Sequence, residues 1–229
     1  MHRPSAPKQR ERTLTRDEIK WFWQACGAID APRVFGATRP FGALLKLLLL
    51  TGARLNEVAG MRRNELHDDG TWRLPGSRTK NGRAHVVPLP PLARQLIANV
   101  QSPFDDLVFS TTGTTPVSGW SRMKRRLDAD MLAIARNDRG TRTTILKWRL
   151  HDLRRTAVTC MAELGIRPDV IELVVNHVSG SRSGIAGVYN KSELLEERRE
   201  ALERWSRHLQ SIVLPKPENV IRLSGKNGQ

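Results

Sequence analysis

The chain has 229 residues, of which 38 are Lys or Arg and 23 are Asp or Glu, so its formal net charge is +15. A chain of this length can bury one sizeable core, and its 17 glycines and 13 prolines exclude a collagen-like or disordered protein. The positive charge indicates a polyanionic partner, because Lys and Arg displace counterions from phosphates. Composition alone does not separate DNA from RNA or from an anionic membrane.

Residues 1–12 are basic and polar, and we expect a flexible arm there. Thr15 and Glu18 have the spacing of a capping box, in which a hydroxyl and a carboxylate bond the free amides of a helix start. The stretch 39–50 is leucine-rich on nearly every side, which predicts a helix buried in the core, and Thr51-Gly52 should end it. A second helix is predicted over 54–63. The first helix should bury an apolar face made by Ile19, Phe22, Trp23 and Cys26.

The stretches 71–75 and 84–88 resemble short strands, and Asn81-Gly82 between them predicts a tight β-hairpin turn. Further helices are predicted over 91–100, 118–136, 151–164, 168–175 and 192–210. The last of them could pack on its own domain or dock on a neighbouring protomer. The pattern predicts a mainly α fold with a small antiparallel β-sheet (α+β), folded over 13–211 and followed by a flexible tail at 212–229.

The cysteines and the apolar stretches bear on where the protein works. Cys26 and Cys160 form no disulfide framework and no metal-binding spacing, which favours a reducing compartment. Residues 1–13 lack the apolar segment of a secretory signal, and 41–50 is interrupted by Lys46 and shorter than the roughly 20 residues of a membrane span. We therefore expect a soluble cytoplasmic protein that needs no metal and no cofactor.

Tyr189 is the single tyrosine of the chain. Taken alone it is most simply a packing residue. The pair His151 and Arg154, spaced to share one face of a helix start, is by itself a weak signal. Arg54 could equally serve an ion pair with Glu57, and the other candidates are by default solvated surface residues.

Together, these residue types suit phosphodiester chemistry. Attack on a DNA phosphate needs a nucleophile and an acid for the departing 5′ oxygen. Tyr189 would be the nucleophile, and Lys80 in the predicted hairpin could protonate the leaving oxygen. A phenol has a reference pKa of about 10, so it needs an acceptor such as His151 or His177 near neutral pH.

The same reaction needs cations for the nonbridging phosphate oxygens. Arg54 and Arg154 are suited to that task, because a guanidinium makes fork-like contacts with phosphate. No carboxylate cluster is present in the sequence to hold a metal ion instead. The combination predicts metal-independent strand cleavage through a phosphotyrosine.

Five blocks of sequence carry a resemblance to a known family. They are 51–58 (TGARLNEV), 79–82 with 86–89 (TKNG, VVPL), 151–156 (HDLRRT), 176–177 (NH) and 188–189 (VY). In this order and spacing the chain resembles the tyrosine recombinases, or phage integrases, over about residues 13–210. It looks most like the integrases of prophages and genomic islands. Asn176 departs from the family, which often has glycine before this histidine.

The resemblance implies the tyrosine recombinase catalytic-domain fold, with a phosphate surrounded by Arg54, Lys80, His151, Arg154 and His177 and attacked by Tyr189. It also implies that Glu57 holds Arg54 in place. The reaction would be site-specific recombination of double-stranded DNA for integration or excision of a mobile element, through a 3′-phosphotyrosyl intermediate. The chain should form a tetramer on DNA and a monomer alone, in a bacterial cytoplasm at the nucleoid.

Relatives usually carry an N-terminal core-binding domain, so the chain looks like an isolated catalytic domain or a fragment. We expect phosphate contacts from a set of basic side chains around the cleft, although each could equally belong to a solvated face. The set comprises Arg78, Arg83, Lys124, Arg125, Arg126 and Lys147.

Two alternatives remain open at the level of sequence. A type IB topoisomerase uses a similar set of Arg, Lys, His and Tyr side chains to relax DNA without exchanging partners. A non-catalytic DNA-binding module would use the basic residues only to hold the backbone. Tyr189→Phe discriminates the binding module from the enzymes, because it should abolish cleavage by an enzyme and spare DNA affinity in both cases.

Overall fold

The computed structural model describes residues 11–30, 40–100, 106–177 and 194–214. Within these ranges the fold is mainly helical with one pair of antiparallel strands, which confirms the predicted fold class. In chain order the elements are α1 (Arg16–Asp30), α2 (Phe41–Thr51), α3 (Leu55–Ala59), β1 (Thr71–Leu74), β2 (His85–Pro88), α4 (Pro91–Ala98), α5 (Trp120–Arg139), α6 (His151–Glu163), α7 (Pro168–Val174) and α8 (Leu195–Val213).

Helix α2 forms the centre of the core, as predicted. Of its eleven residues ten are buried, and α1, α3, α4, α6 and α8 all pack against it. A helix surrounded on nearly every side needs apolar residues all round, which explains the leucines on both sides of Lys46. Gly42 permits the close approach of α1, because a Cβ there would lie 2.0 Å from the carbonyl oxygen of Cys26. The carboxylate of Asp30 accepts hydrogen bonds of 2.7 Å from the amides of Gly42 and Ala43 at the start of α2.

The start of α1 is also as predicted. The amide of Glu18 donates to Thr15 Oγ1 at 3.3 Å, and the amide of Thr15 donates to Glu18 Oε2 at 2.8 Å, which completes the capping box. Ile19, Phe22 and Cys26 are buried on the inner face of the helix. Residues 1–10 and 215–229 lie outside the described residues, so the predicted arm and tail remain predictions.

The two strands lie where they were predicted and pair antiparallel, but the prediction that a tight turn joins them directly was wrong. Thr71 pairs with Pro88 and Leu74 with His85, so a ten-residue connection, 75–84, separates the strands. It contains a 3-10 turn, Gly76–Arg78, and then a turn in which the Gly82 amide donates to the Thr79 carbonyl at 3.2 Å. The Asn81-Gly82 signal therefore marks a real turn, but one that lies beyond the end of the strand ladder.

The predicted helix over 54–63 is shorter in the structure. Helix α3 ends at Ala59 and is followed by a separate 3-10 turn, Arg63–Glu65. The chain leaves the helix at Gly60, where a Cβ would lie 2.8 Å from Nη2 of Arg78. The guanidinium of Arg78 thus lies close against the chain where the helix stops.

The last helix packs on its own domain. Trp205 is fully buried and its Nε1 donates to the Leu49 carbonyl at 3.1 Å, while Leu202 and Leu209 are also buried. Arg198 donates to the Val86 carbonyl of β2 at 3.0 Å. Of the described helices, none is long and apolar enough to cross a bilayer.

Candidate active site

A left-handed glycine turns the chain between α2 and the first candidate arginine. Gly52 has φ +64° and its amide caps α2 by donating to the Leu48 carbonyl at 3.0 Å. Glycine adopts this conformation without steric cost. A Cβ at this position would lie 3.0 Å from Cγ1 of Val175, so the turn also packs closely against the end of α7. Arg54 follows two residues after this glycine and is the N-cap residue of α3.

Arg54 is held from two directions. Its Nη1 contacts Oε1 of Glu57 at 2.9 Å and its amide donates to Oε2 of the same carboxylate at 2.9 Å. Its Nη2 donates to the Asn176 carbonyl at 3.4 Å. Glu57 is 4% exposed, so the structure brings a buried carboxylate against the guanidinium. That contact restricts Arg54 to one orientation while leaving the side chain partly accessible.

Arg154 is almost fully buried and is held by the backbone. Its Nη1 donates to the Gly52 carbonyl at 2.7 Å and its Nη2 to the Val175 carbonyl at 2.5 Å. Burial, followed by the charge of Arg54, lowers the pKa of Arg154 to about 10. The guanidinium is therefore still cationic at neutral pH. The two arginines are close enough for the charge of Arg54 to affect Arg154, and the carboxylate of Glu57 opposes that effect.

His151 opens α6 one turn before Arg154. Partial burial, and then the charges of Arg154 and Arg155, lower the pKa of His151 below its ordinary value of 6.5. Asp152 opposes the shift. The imidazole is consequently neutral at pH 7, the state in which one ring nitrogen accepts a proton.

His177 follows α7 and lines the same cleft as His151 from the α7 side. Its amide donates to the Glu172 carbonyl at 2.9 Å, and Nδ1 lies 3.9 Å from Oε1 of Glu172. The side chain is 61% exposed. Asn176, immediately before it, has φ +50°, and this left-handed residue turns the chain so that the histidine follows the helix.

These residues line one cleft of about 530 Å³, with His151, Arg154 and Arg155 on the α6 side and Glu172 and His177 on the α7 side. Two guanidiniums and two imidazoles line the cleft together with the carboxylates of Glu11 and Glu172. A third guanidinium, that of Arg54, contacts the carbonyl of Asn176 between the lining residues Val175 and His177, and hydrogen-bond donors of this kind suit a phosphate. Across the described ranges no group of three His, Cys, Asp or Glu side chains could hold a metal ion.

Lys80 and Tyr189 complete the predicted set. Lys80 is exposed in the 75–84 connection. Its neighbour Asn81 donates from Nδ2 to the side-chain oxygen of Asn176 at 2.9 Å, which ties this connection to the residue before His177. Tyr189 lies outside the described residues, so its place as nucleophile stays a prediction.

Two of the predicted DNA contacts are engaged within the protein instead. Arg78 contacts the carboxylate of Glu65 through Nη1 and donates to the Glu57 carbonyl through Nη2 at 2.7 Å. Lys124 pairs with Asp128 and lies 3.9 Å above the ring of Trp148. Both side chains are less than one fifth exposed, so neither is presented to a ligand.

The other predicted contacts lie nearer the surface. Arg126 is half-buried and 3.5 Å from the carboxylate of Asp130. Arg83, Arg125 and Lys147 are exposed.

Sequence reasoning missed four residues that shape this site: Arg155, Glu65, Asn81 and Asn176. Arg155 follows Arg154 in a matched block and was simply not singled out. Asn176 was visible only as a departure from the glycine that relatives often carry. The left-handed backbone at position 176 accounts both for the glycine that relatives often carry and for the asparagine of this chain, because asparagine tolerates that conformation next best after glycine.

Comparison with known proteins identifies the family. Residues 12–193 match the sequence model of the phage integrase family. The chain belongs to the phage integrase family. It is 29% identical to prophage integrase IntA of Escherichia coli K12 over 161 residues, covering 69% of this chain and 36% of that protein. It is 30% identical to prophage integrase IntZ of the same organism over 171 residues, covering 74% and 39%. The chain thus spans under two fifths of the length of these relatives.

Solved structures give the same fold. The integrase from mycobacterium phage Brujita superposes with a TM-score of 0.62 at 16% identity, covering 94% of this chain and 67% of that one. A lambda integrase dimer bound to a COC′ core site gives a TM-score of 0.56 at 18% identity, covering 77% and 61%. At these identities the likeness concerns the fold alone, and it confirms the tyrosine recombinase catalytic-domain fold predicted from the five sequence blocks.

Proposed function

We propose that the chain cleaves and rejoins DNA as the catalytic part of a site-specific recombinase that integrates or excises a mobile element. One observation carries the proposal: in a member of the phage integrase family, His151 and Arg154 share one cleft with His177, and Arg54 donates to the carbonyl of Asn176, the residue directly before that histidine. A protein that only binds DNA has no need of a neutral imidazole beside one buried and one partly exposed guanidinium.

In the proposed reaction the Tyr189 hydroxyl attacks the scissile phosphorus. The bond between the phenolic oxygen and phosphorus forms, the bond from phosphorus to the 5′ oxygen breaks, and the energy is kept in a 3′-phosphotyrosyl ester. His151 takes or shares the phenolic proton, for which its lowered pKa keeps the ring neutral. Lys80 gives a proton to the departing 5′ oxygen. His177 donates a hydrogen bond to the phosphate from the other wall.

Arg54 and Arg154 bind the nonbridging oxygens in this scheme. Both are fixed before any ligand arrives, so little reorganisation is needed as charge develops. Because Arg154 is held by neutral carbonyls, its full charge remains available to a phosphate. Arg54 keeps a partly exposed side chain for the same purpose.

Double-stranded DNA is the proposed partner. Arg83, Arg125 and Lys147 are exposed and are the members of the predicted contact set that we retain as backbone contacts. We expect binding to weaken steeply with salt, because each phosphate contact releases counterions. A tetramer on DNA and a monomer in its absence remain our expectation.

Covalent trapping tests this function. The purified chain is incubated with a nicked suicide duplex that carries the core site flanking its gene, and the mixture is analysed for an SDS-resistant protein–DNA adduct. We expect an adduct with the parent chain and none with Tyr189→Phe, which should bind the duplex equally well. Salt-sensitive binding without any adduct, from this chain and from the full-length protein alike, would refute the enzyme and favour a DNA-binding module.

A further inference from the structure

A pair of asparagines joins two parts of the site that are distant in the sequence. Nδ2 of Asn81 donates to Oδ1 of Asn176 at 2.9 Å and to its carbonyl at 3.3 Å, and Nδ2 of Asn176 donates back to Oδ1 of Asn81 at 3.4 Å. The two residues are 95 positions apart. We call this pair the amide clasp.

Each half of the amide clasp adjoins a residue of the proposed active site. Asn81 directly follows Lys80, and Asn176 directly precedes His177. The Asn176 carbonyl also accepts from Nη2 of Arg54 at 3.4 Å. The Asn176 carbonyl therefore accepts hydrogen bonds both from Asn81, in the connection that carries Lys80, and from Arg54, whose guanidinium would bind phosphate.

The rest of the connection explains why such a link matters. The Thr79 hydroxyl bonds the Gly76 and Arg83 carbonyls at 3.0 and 2.8 Å, which closes the turn on itself without tying it to the helices. Arg78 anchors the connection two residues before Lys80, through Glu65 and the Glu57 carbonyl. Asn81 anchors it one residue after. Lys80 is thus bracketed by two anchors that lead to different parts of the core.

We propose that the amide clasp positions Lys80 over the cleft, so that the lysine reaches the leaving oxygen from a fixed connection. Asn81 and Asn176 are positioning residues in this proposal, which rests on the proposed function. The exposed lysine has a long flexible side chain, and fixing its backbone on both sides reduces the conformations that must be lost to reach the phosphate.

Two substitutions disrupt the side-chain contact of the clasp, and the second of them leaves the bond from Asn81 to the carbonyl of residue 176 in place. Asn81→Asp keeps the Oδ1 acceptor that bonds the Arg83 amide at 3.2 Å, but it replaces the donor facing Asn176 with a second acceptor. Asn176→Gly suits φ +50° and keeps the carbonyl that Arg54 uses, while removing the side chain. Asn64→Asp is the matched control, since it makes the same chemical change at an exposed residue away from the connection.

The first measurement is single-turnover cleavage of the suicide duplex at saturating DNA. Both clasp variants should cleave roughly threefold to tenfold more slowly than the parent, the range expected for a lost hydrogen bond that orients a catalytic group. The double variant should be no slower than the slower single variant, because both remove one shared interaction. Asn64→Asp should cleave at the parental rate.

A modified substrate separates positioning of the acid from general damage. When sulfur replaces the bridging 5′ oxygen, the leaving group is a thiolate, and because thiols are far stronger acids than alcohols it departs without a proton; the cysteine thiol, for comparison, has a reference pKa of about 8.5. Cleavage of this substrate by the clasp variants and by Lys80→Ala should return to within about twofold of the parental rate. Arg54→Ala should stay slow on both substrates, because its proposed role does not involve the leaving group.

Hydrogen exchange of the free protein supplies a readout that does not depend on activity. Amides of 75–84 should exchange faster in both clasp variants, while those of α2 keep their parental protection. Unchanged exchange in 75–84, unchanged cleavage, or slow cleavage that sulfur does not restore would each overturn the positioning role. If the parent chain forms no adduct, the proposed function fails, whereas faster exchange in 75–84 would still establish the clasp as an anchor of that connection.

Discussion

Arg78→Ala should destabilise the fold far more than it weakens DNA binding. The Arg78 guanidinium contacts Glu65, a carboxylate that is 6% exposed in its side chain and that also accepts from Nε1 of Trp72 at 3.1 Å and from the Arg62 amide at 3.1 Å. Removing the arginine leaves that carboxylate buried without its cation. It also removes the donor to the Glu57 carbonyl.

The size of the effect follows from that burial. Breaking a buried ion pair by deleting one partner typically costs about 3–5 kcal/mol of unfolding free energy. For a domain of this size each kcal/mol lowers Tm by roughly 2–4 °C, so a fall of roughly 6–20 °C is expected. Urea denaturation at pH 7 measures the free energy directly, with the slope m compared between parent and variant to verify that the same surface is exposed.

A double variant tests the assigned cause. Glu65→Gln keeps a side-chain oxygen for Trp72 and removes the buried charge, so adding it to Arg78→Ala should recover part of the lost stability. A loss below about 1 kcal/mol for Arg78→Ala, together with a salt slope of DNA binding that decreases by about one, would refute the argument and restore Arg78 as a phosphate contact.

Three further predictions concern the core and the cleft. Leu48→Ala should cost about 2–5 kcal/mol by urea denaturation, because the side chain is 2% exposed at the centre of the core. Gly52→Ala should cost at least about 1–2 kcal/mol through its left-handed backbone, with the contact to Val175 added, and calorimetry would show it as a lower Tm. An NMR titration should give His151 a pKa below 6.5 that rises in Arg155→Gln. The unfolded state then binds more protons than the folded state just below pH 6.5, so His151 makes unfolding more favourable as the pH falls through that range.

Local patterns made part of this structure predictable. The capping box of α1 and the leucine run of α2 need information from neighbouring residues only, and both elements appear as predicted. The spacing of His151 and Arg154 likewise places both on the first turns of α6, where they line one cleft. The catalytic-domain fold as a whole was predicted from the five sequence blocks that resemble the family, because their order and spacing reflect the whole domain.

Contacts across long stretches of chain were not predictable in this way. Trp205 bonds Leu49 from 156 residues away, and the amide clasp joins residues 95 apart. Arg78 is only 13 residues from Glu65, but the contact between them depends on the shape of the 75–84 connection. The Asn81-Gly82 turn signal alone does not define that shape. The sequence does not distinguish an exposed basic residue from a buried one. Contacts with residues distant in the sequence bury some basic side chains and leave others exposed to DNA.

The different anchoring of the two site arginines determines which of them can serve as a probe of catalysis. Gly52 and Val175, whose carbonyls hold Arg154, are the C-terminal caps of α2 and α7, where helix carbonyls lack partners within the helix. A cation there also meets the negative ends of both helices. Arg154→Ala should therefore lower Tm together with cleavage. Arg54 is partly exposed and is held mainly by the buried carboxylate of Glu57, so Arg54→Ala alone would leave that charge without its cation. Combined with Glu57→Gln, which removes the charge, Arg54→Ala should lower Tm less than Arg154→Ala while abolishing cleavage. If calorimetry ranked the two variants in the opposite order, Arg54 would be the structural residue of the pair.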